Sequence, residues 1–483
     1  MYKDNGVLFE KGCLPIKASD LCNLLKCNVE LVGVEPEAVI TSISFGQYYA
    51  PKDEGFLQIV GADDNLVINR IENKKGVAAL TDHLIEGIPC IIVDDLVTAV
   101  FSVGKWLYQS IKLPAVVVSG SVGKTTTKRM INAVLSKQMR LFTINESRNT
   151  LKDLCCFIQD IKSEDQLVVW EVAENRKREV EFSSEILLPR IAAITNIGES
   201  HIGSIEGGKT ALLESIQSIT AGMRDDGVVI INADDPDSRK TVFDRKTLSV
   251  GVYDTSADCV AYNIQSTRKG TSFDLRFQNQ VTHVVLSVFG VHNVYNAMMA
   301  FAIGVLMGIN RNVAARALRK YHNIGYRQNI LRFGGVVVYA DCYNASAKSV
   351  SSAIQCFCDL PGIRGKRIAI LGDIAEIEGH EEKIYKEVAK AIDDSSLDIV
   401  ITYGKTSYMI QHFVKRTIEM RHCASPAELN GVVDGLKRTG KNAYLIKGSR
   451  SMKMEQNLRH CFPLHYFPMR AKEKLTIKYR WGE

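Results

Sequence analysis

The feature that most restricts the fold of this chain is one turn, Gly120-Ser121-Val122-Gly123-Lys124-Thr125-Thr126-Thr127. A short β-branched run, Ala115–Gly120, leads into it, and a helical pattern over Lys124–Lys137 leads out. A strand, a glycine-bearing turn and a helix in that order are the parts of a phosphate loop. Glycines let backbone N–H groups turn toward phosphate oxygens, and the first turn of the helix adds a partial positive charge. Lys124 is then expected to reach the β- and γ-phosphates, and the Thr125 hydroxyl to ligate Mg²⁺. Gly120, Ser121, Gly123 and Thr126 complete the expected nucleotide contacts. The general motif wants a glycine at position 118, where this chain has Val118.

The rhythm on either side predicts an α/β fold in three domains. Apolar runs at Leu167–Val172, Ile191–Ile197 and Gly227–Asn232 alternate with helical segments. That pattern predicts a parallel sheet covered on both faces, over residues 112–325. Residues 1–111 read as a small α/β domain. Its strand-like runs are Gly55–Val60, Gly76–Leu80 and Pro89–Val93, and a helix near Leu96–Ile111 precedes a break at Pro114. A third, Rossmann-like domain is expected over 326–465, with strands at Leu331–Tyr339, Lys366–Leu371, Leu397–Thr402 and Asn442–Ile446 and a helix at His380–Asp393. Residues 466–483 are basic and aromatic. A solvated tail or an edge strand is expected there, with a partner-binding tail as the alternative. A length of 483 residues fits about three domains of roughly 150 each.

Composition removes other classes. A chain 46% hydrophobic and 24% charged is neither disordered nor collagen-like. Sixty basic against 54 acidic residues leave +6, too thin a bias for the concentrated footprint of a nucleic-acid binder. No stretch approaches about 18 uncharged apolar residues, and the start, MYKDNGVLFEKG, has no apolar core of signal-peptide length. The expectation is a cytoplasmic, monomeric protein with no membrane span, acting on small molecules. Its twelve cysteines are scattered without any CxxC, which reads as reduced and largely buried thiols.

A Mg²⁺·ATP site needs hard ligands beyond the loop. Two strand ends offer them: Glu171 and Glu174 at one, and Gly198-Glu199-Ser200-His201 at the other. In open parallel sheets, ligands gather at such carboxyl ends.

These stretches, taken in order over roughly 112–455, resemble the Mur ligase family of ATP-dependent amide-bond-forming enzymes. GSVGKTTTK resembles its shortened phosphate loop, which accounts for Val118. ITNIGESHIGSIEG (194–207) resembles the segment carrying its metal-binding histidine. NADD (232–235), GVHNVYNAMMA (290–300), YRQN (326–329), DCYNASAKS (341–349), LGDIAEI (371–377) and IKGSRSMKME (446–455) follow. The last three point to the branch that adds D-alanyl-D-alanine to a UDP-N-acetylmuramoyl-tripeptide in peptidoglycan synthesis. The resemblance implies ATP and Mg²⁺ as cofactors and catalytic roles for Lys124, His201 and Arg327. It implies metal binding by Thr125, Glu171 and His201. Asn149 would help form the nucleotide site, Asn293 and Asn296 would face the adenine, and Asp341 would touch the ribose. Asn344, Lys447, Ser449 and Arg450 would line the amine substrate's site, where a guanidinium can grip a carboxylate.

Three departures keep alternatives open. Many members carry a carbamylated lysine after the metal-binding histidine; aligning on Ala211 and Glu214 puts Leu212 there, with Lys209 about one helical turn earlier. The Asp-Ser-Arg-like turn that holds a UDP moiety corresponds to Thr41-Ser42-Ile43-Ser44-Phe45-Gly46, without acid or base. The Asn-Pro after Tyr343-Asn344-Ala345 is Ser346-Ala347. One alternative is therefore a ligase of the same mechanism joining a different acid and amine. Another is a nucleotide-binding regulator with weakened catalysis.

Overall fold

Ala115–Ser119 is buried along its whole length, as a β-branched strand covered on both faces must be. It lies in parallel between Leu167–Glu171 and Pro189–Ile194, which places Glu171 beside Val118 at the mouth of the phosphate loop. The structure is a computed structural model. It describes residues 14–46, 49, 54–61, 63–144, 148–173, 178–198, 208–267, 269–438 and 440–462.

Around that strand runs a nine-stranded sheet. Its parallel part continues through Val228–Asn232, Lys246–Gly251 and Cys259–Thr267. Then the hand-off changes: Gly270–Phe277 and Gln280–Leu286 add as antiparallel strands. The sequence reading expected only the parallel part. The turn joining the last two strands is Gln278-Asn279, and both residues have positive φ (49° and 60°). Two left-handed residues match the twist of a tight hairpin, but without glycine the pair does not announce one.

Upstream lies a five-stranded sheet. Ser42–Phe45, Phe56–Ile59, Ala78–Thr81 and Cys90–Val93 are parallel, and Val29–Val32 closes it antiparallel. Downstream lies a six-stranded sheet built on Val336–Asp341, Ala443–Lys447, Arg367–Gly372, Ile399–Tyr403 and Glu419–Cys423 in parallel. The run Leu331–Tyr339, expected as one strand, is a hairpin. Asn329–Phe333 folds back on Val336–Asp341 through Gly334 and Gly335, both with positive φ (55° and 89°), the pair such a turn requires.

One apolar cluster runs without a break from Ala18 on the helix Ala18–Leu24 and Ile43 in the first sheet, through Phe101 and Tyr108, to Val117, Trp170 and Ile194 in the second. The third sheet has cores of its own on its two faces, around Phe357 and Tyr385 and around Tyr444 and Phe462. Among the described residues, no helix is long and apolar enough to cross a membrane.

Candidate functional site

A cavity of about 810 Å³ opens where the carboxyl ends of the second and third sheets face each other. The sequence-predicted site residues that are described all line it, except Gly120 and Asn293. His201, predicted as catalytic and metal-binding, and Glu174 lie outside the described residues, as does the basic tail from 466 onward.

The phosphate loop is fixed by close approach. Gly120 has φ +115°, and a Cβ there would come within 2.4 Å of Thr195 Oγ1 and 2.7 Å of the Asn196 carbonyl oxygen. Only glycine fits. Asn196 then clamps the loop from the neighbouring strand end. Its carbonyl accepts from Ser121 N at 2.9 Å. Its side chain accepts from Val122 N at 3.2 Å and donates to Val122 O at 2.8 Å. Lys124 Nζ bends back to donate to Gly120 O at 2.7 Å. Asn196 carried no signal in the sequence beyond its place at a strand end.

Behind the loop sits a buried carboxylate, Glu171. Thr125 Oγ1 donates to one of its oxygens at 2.9 Å and Asn149 Nδ2 to the other at 3.0 Å. Lys128 Nζ, wholly buried one turn behind Lys124, stands 3.5 Å away. Burial works to raise the Glu171 pKa, but Lys128, Lys124 and Arg327 outweigh it and hold it below the usual carboxylate range. Burial pushes Lys128 down, and Glu171 opposes that shift. A threonine hydroxyl beside an ionised carboxylate at a phosphate loop is the hard-oxygen donor set that Mg²⁺ takes, with phosphates and waters filling the remaining positions.

The two asparagines of the helix Val291–Leu306 are hydrogen-bonded to each other and to their surroundings. Asn293 is fully buried, and its amide donates to Phe289 O at 2.8 Å and Gln328 Oε1 at 2.9 Å. These bonds brace the site from within the protein. Asn296 lines the cavity but accepts from Thr127 Oγ1 at 3.0 Å and donates to Asn293 Oδ1 at 3.2 Å, so it supports the phosphate loop.

The third sheet supplies the opposite wall. Arg327 lies flat against Tyr343, its guanidinium carbon 3.7 Å from the ring centroid, and Arg450 stands 5.7 Å from the same ring. Lys447 is buried and bound to Asp341 Oδ2 at 2.9 Å and to Asn344 O at 2.9 Å. It orders the wall rather than presenting a free charge. Ser449 Oγ accepts from Ala375 N at 2.8 Å, tying down the LGDIAEI loop. Arg450 pairs with Glu455 at 2.6 Å and remains half-exposed.

In the first sheet, the sequence reading found no arginine at the turn 41–46. The structure brings one from elsewhere. Arg70, on the helix Asp64–Lys74, is buried against that strand end. Its Nη1 donates to Ser44 Oγ at 3.3 Å, Gln58 Oε1 at 3.4 Å and the Gly46 carbonyl.

Residues 118–304 match the Mur ligase middle domain. The UDP-N-acetylmuramoyl-tripeptide--D-alanyl-D-alanine ligase of Bacillus subtilis is 32% identical over 369 residues, 76% of this chain and 79% of that protein. The Escherichia coli ligase of the same name is 26% identical, over 77% of this chain and 82% of its own. Among solved structures, MurF from Acinetobacter baumannii superposes with a TM-score of 0.79 at 22% identity, covering 92% of this chain and 98% of that one. MurF ligase from Thermotoga maritima in complex with ADP gives 0.73 at 21% identity, over 87% and 97%.

Proposed function

The chain belongs to the Mur ligase family, and from that premise we propose that it joins D-alanyl-D-alanine to a UDP-N-acetylmuramoyl-tripeptide with consumption of ATP. The observation that carries the reading is the shared cavity. A phosphate loop forms one wall, and a second sheet with its own arginines forms the other.

The chemistry follows from that arrangement. The tripeptide's terminal carboxylate attacks the γ-phosphorus of ATP, giving an acyl phosphate and ADP. The amine of the dipeptide then attacks the acyl carbon and expels phosphate. Carboxylate and γ-phosphate are both anionic, and their approach is the barrier. Lys124 and Arg327 supply fixed positive charge on either side of it. Mg²⁺, held by Thr125 and Glu171, would neutralise further phosphate charge. Facing walls on separate sheets let closure exclude water from the acyl phosphate. Arg450, half-exposed beside the Tyr343 ring, suits the carboxylate of the incoming dipeptide. An enzyme that draws on ATP and a nucleotide-linked precursor belongs in the cytoplasm.

The test is phosphate release from Mg²⁺·ATP with both substrates present. Turnover is expected only when both are present, with a new amide product by mass. Lys124→Ala is expected to lower it by about 10²–10³-fold. ATP binding without turnover on these substrates would send the assignment to another acid and amine, the reading that the altered turn at 41–46 favours.

A further inference from the structure

Lys348 stands in the first turn of the helix Ala347–Cys358, two residues after its cap Ser346. A cation is disfavoured at that end of a helix by the helix dipole. Its partner is the N-cap of the helix Pro236–Lys240, which follows the second sheet's strand Val228–Asn232. Lys348 Nζ reaches Asp235 Oδ1 at 2.7 Å, across the mouth of the cavity.

Asp235 is a junction in its own right. It is 4% exposed. Its Oδ2 accepts from Ile197 N at 2.9 Å, from Ser238 N at 3.1 Å and from Ser238 Oγ at 2.7 Å. One carboxylate therefore gathers the strand-end loop at Ile197, the cap of the helix Pro236–Lys240 and the third sheet's lysine. The next residue along that loop, Gly198, donates its N–H to Ser121 Oγ at 2.8 Å. A methyl group built on Gly198 would lie 3.4 Å from Ser121 Cβ and 3.7 Å from Lys348 Cδ. The lysine stem and the phosphate loop thus converge on the space beside the same glycine.

We propose that Lys348 is a positioning residue for the ligase reaction: its ion pair with Asp235 docks the third domain against the loop that holds Ser121 of the phosphate loop. Closure of the cavity and alignment of the phosphate loop then share one contact. When the third sheet moves away, Asp235 keeps its backbone bonds but loses its counter-charge, and that loss favours return. The kinetic part of this inference rests on the ligase reading above; the structural part does not.

The experiment uses the full chain and three forms: wild type, Lys348→Met and Lys348→Arg. Small-angle scattering with ADP and Mg²⁺ reads closure without any acyl substrate. Wild type and Lys348→Arg are expected to be compact and Lys348→Met expanded, with circular dichroism unchanged. In turnover, Lys348→Met is expected to raise the KM for D-alanyl-D-alanine roughly three- to tenfold, to lower kcat much less, and to flatten the salt dependence of the rate. Lys348→Arg is expected to restore all three. Equal compactness of the three forms would overturn the proposal even if no substrate turns over. A loss in kcat of about 100-fold at unchanged KM and unchanged compactness would also overturn it, because Lys348 would then act on the reacting atoms themselves.

Discussion

Between the first and second sheets, Phe101 stacks on Phe182 with ring centroids 4.1 Å apart, and Tyr49 meets Phe157 edge-on at 5.1 Å. Between the second and third, the side-chain bonds are polar: Lys348 to Asp235, and Gln328 Oε1 to His292 Nε2 (2.9 Å) and Asn293. Phe289 is the apolar exception, packing against the third sheet's core. The first junction is continuous with a hydrophobic core and cannot open without exposing it. The second exchanges polar partners for water at a smaller loss than uncovering an apolar core, which suits relative motion. The cavity lies in the second.

Breaking the apolar junction gives the largest effect. Phe101→Ala is expected to lower stability by about 3–5 kcal/mol, read from the denaturant midpoint. A loss under about 1 kcal/mol would mean that the two sheets do not share a core. Gln159→Ala comes next. Its side chain accepts from Ile43 N at 3.1 Å and donates to Ile43 O at 2.7 Å, standing in for a strand partner. Leaving both groups unpaired is expected to cost about 1–3 kcal/mol. Gln328→Ala, at the polar junction, is expected to cost about 1 kcal/mol or less, because Asn293 keeps its bond to Phe289 O and His292 borders the cavity. Its effect is expected instead in the rate, since Arg327 precedes it in the chain; an equal loss of stability at Gln159 and Gln328 would erase the contrast.

Acid sharpens the same contrast. Burial works to raise the Asp235 pKa, but Lys348 and the hydrogen bonds from Ile197 and Ser238 hold it below the ordinary 3.8. A carboxylate depressed on folding contributes stability that is full above its ordinary pKa and lost as pH falls through its lower folded value. Scattering is therefore expected to show opening of the third domain below about pH 4. The near-ultraviolet signal of buried Trp170 in the apolar junction is expected to survive to lower pH.

The phosphate loop was legible because its physics is local: a strand, two glycines and a helix start specify it without reference to the rest of the chain. The alternation of strands and helices likewise displayed the α/β class. Positions that depend on a distant partner were not legible. An asparagine bonded to Phe289 O and one open to solvent are the same letter, so the internal bonds of Asn293 could not be read in advance. Arg70 reaches the first sheet's strand end from a helix, and only the packed structure brings it beside Ser44. Lys128 follows Lys124 by one turn and reads as a solvated charge until Glu171 is seen behind it. The hairpin at Gly334-Gly335 carried a local signal, a glycine pair inside an apolar run, that the reading of one strand passed over.

Leu212 is wholly buried in the core shared by the first two sheets, beside Ile197 and Ile216. Lys209, the nearby lysine that does reach the cavity, is held 2.7 Å from Asp237. A carbamate forms from an amine and dissolved carbon dioxide, and a leucine side chain offers no amine. On the alignment that sets Leu212 at the carbamylated position, turnover is expected to be the same in degassed and in bicarbonate-rich buffer.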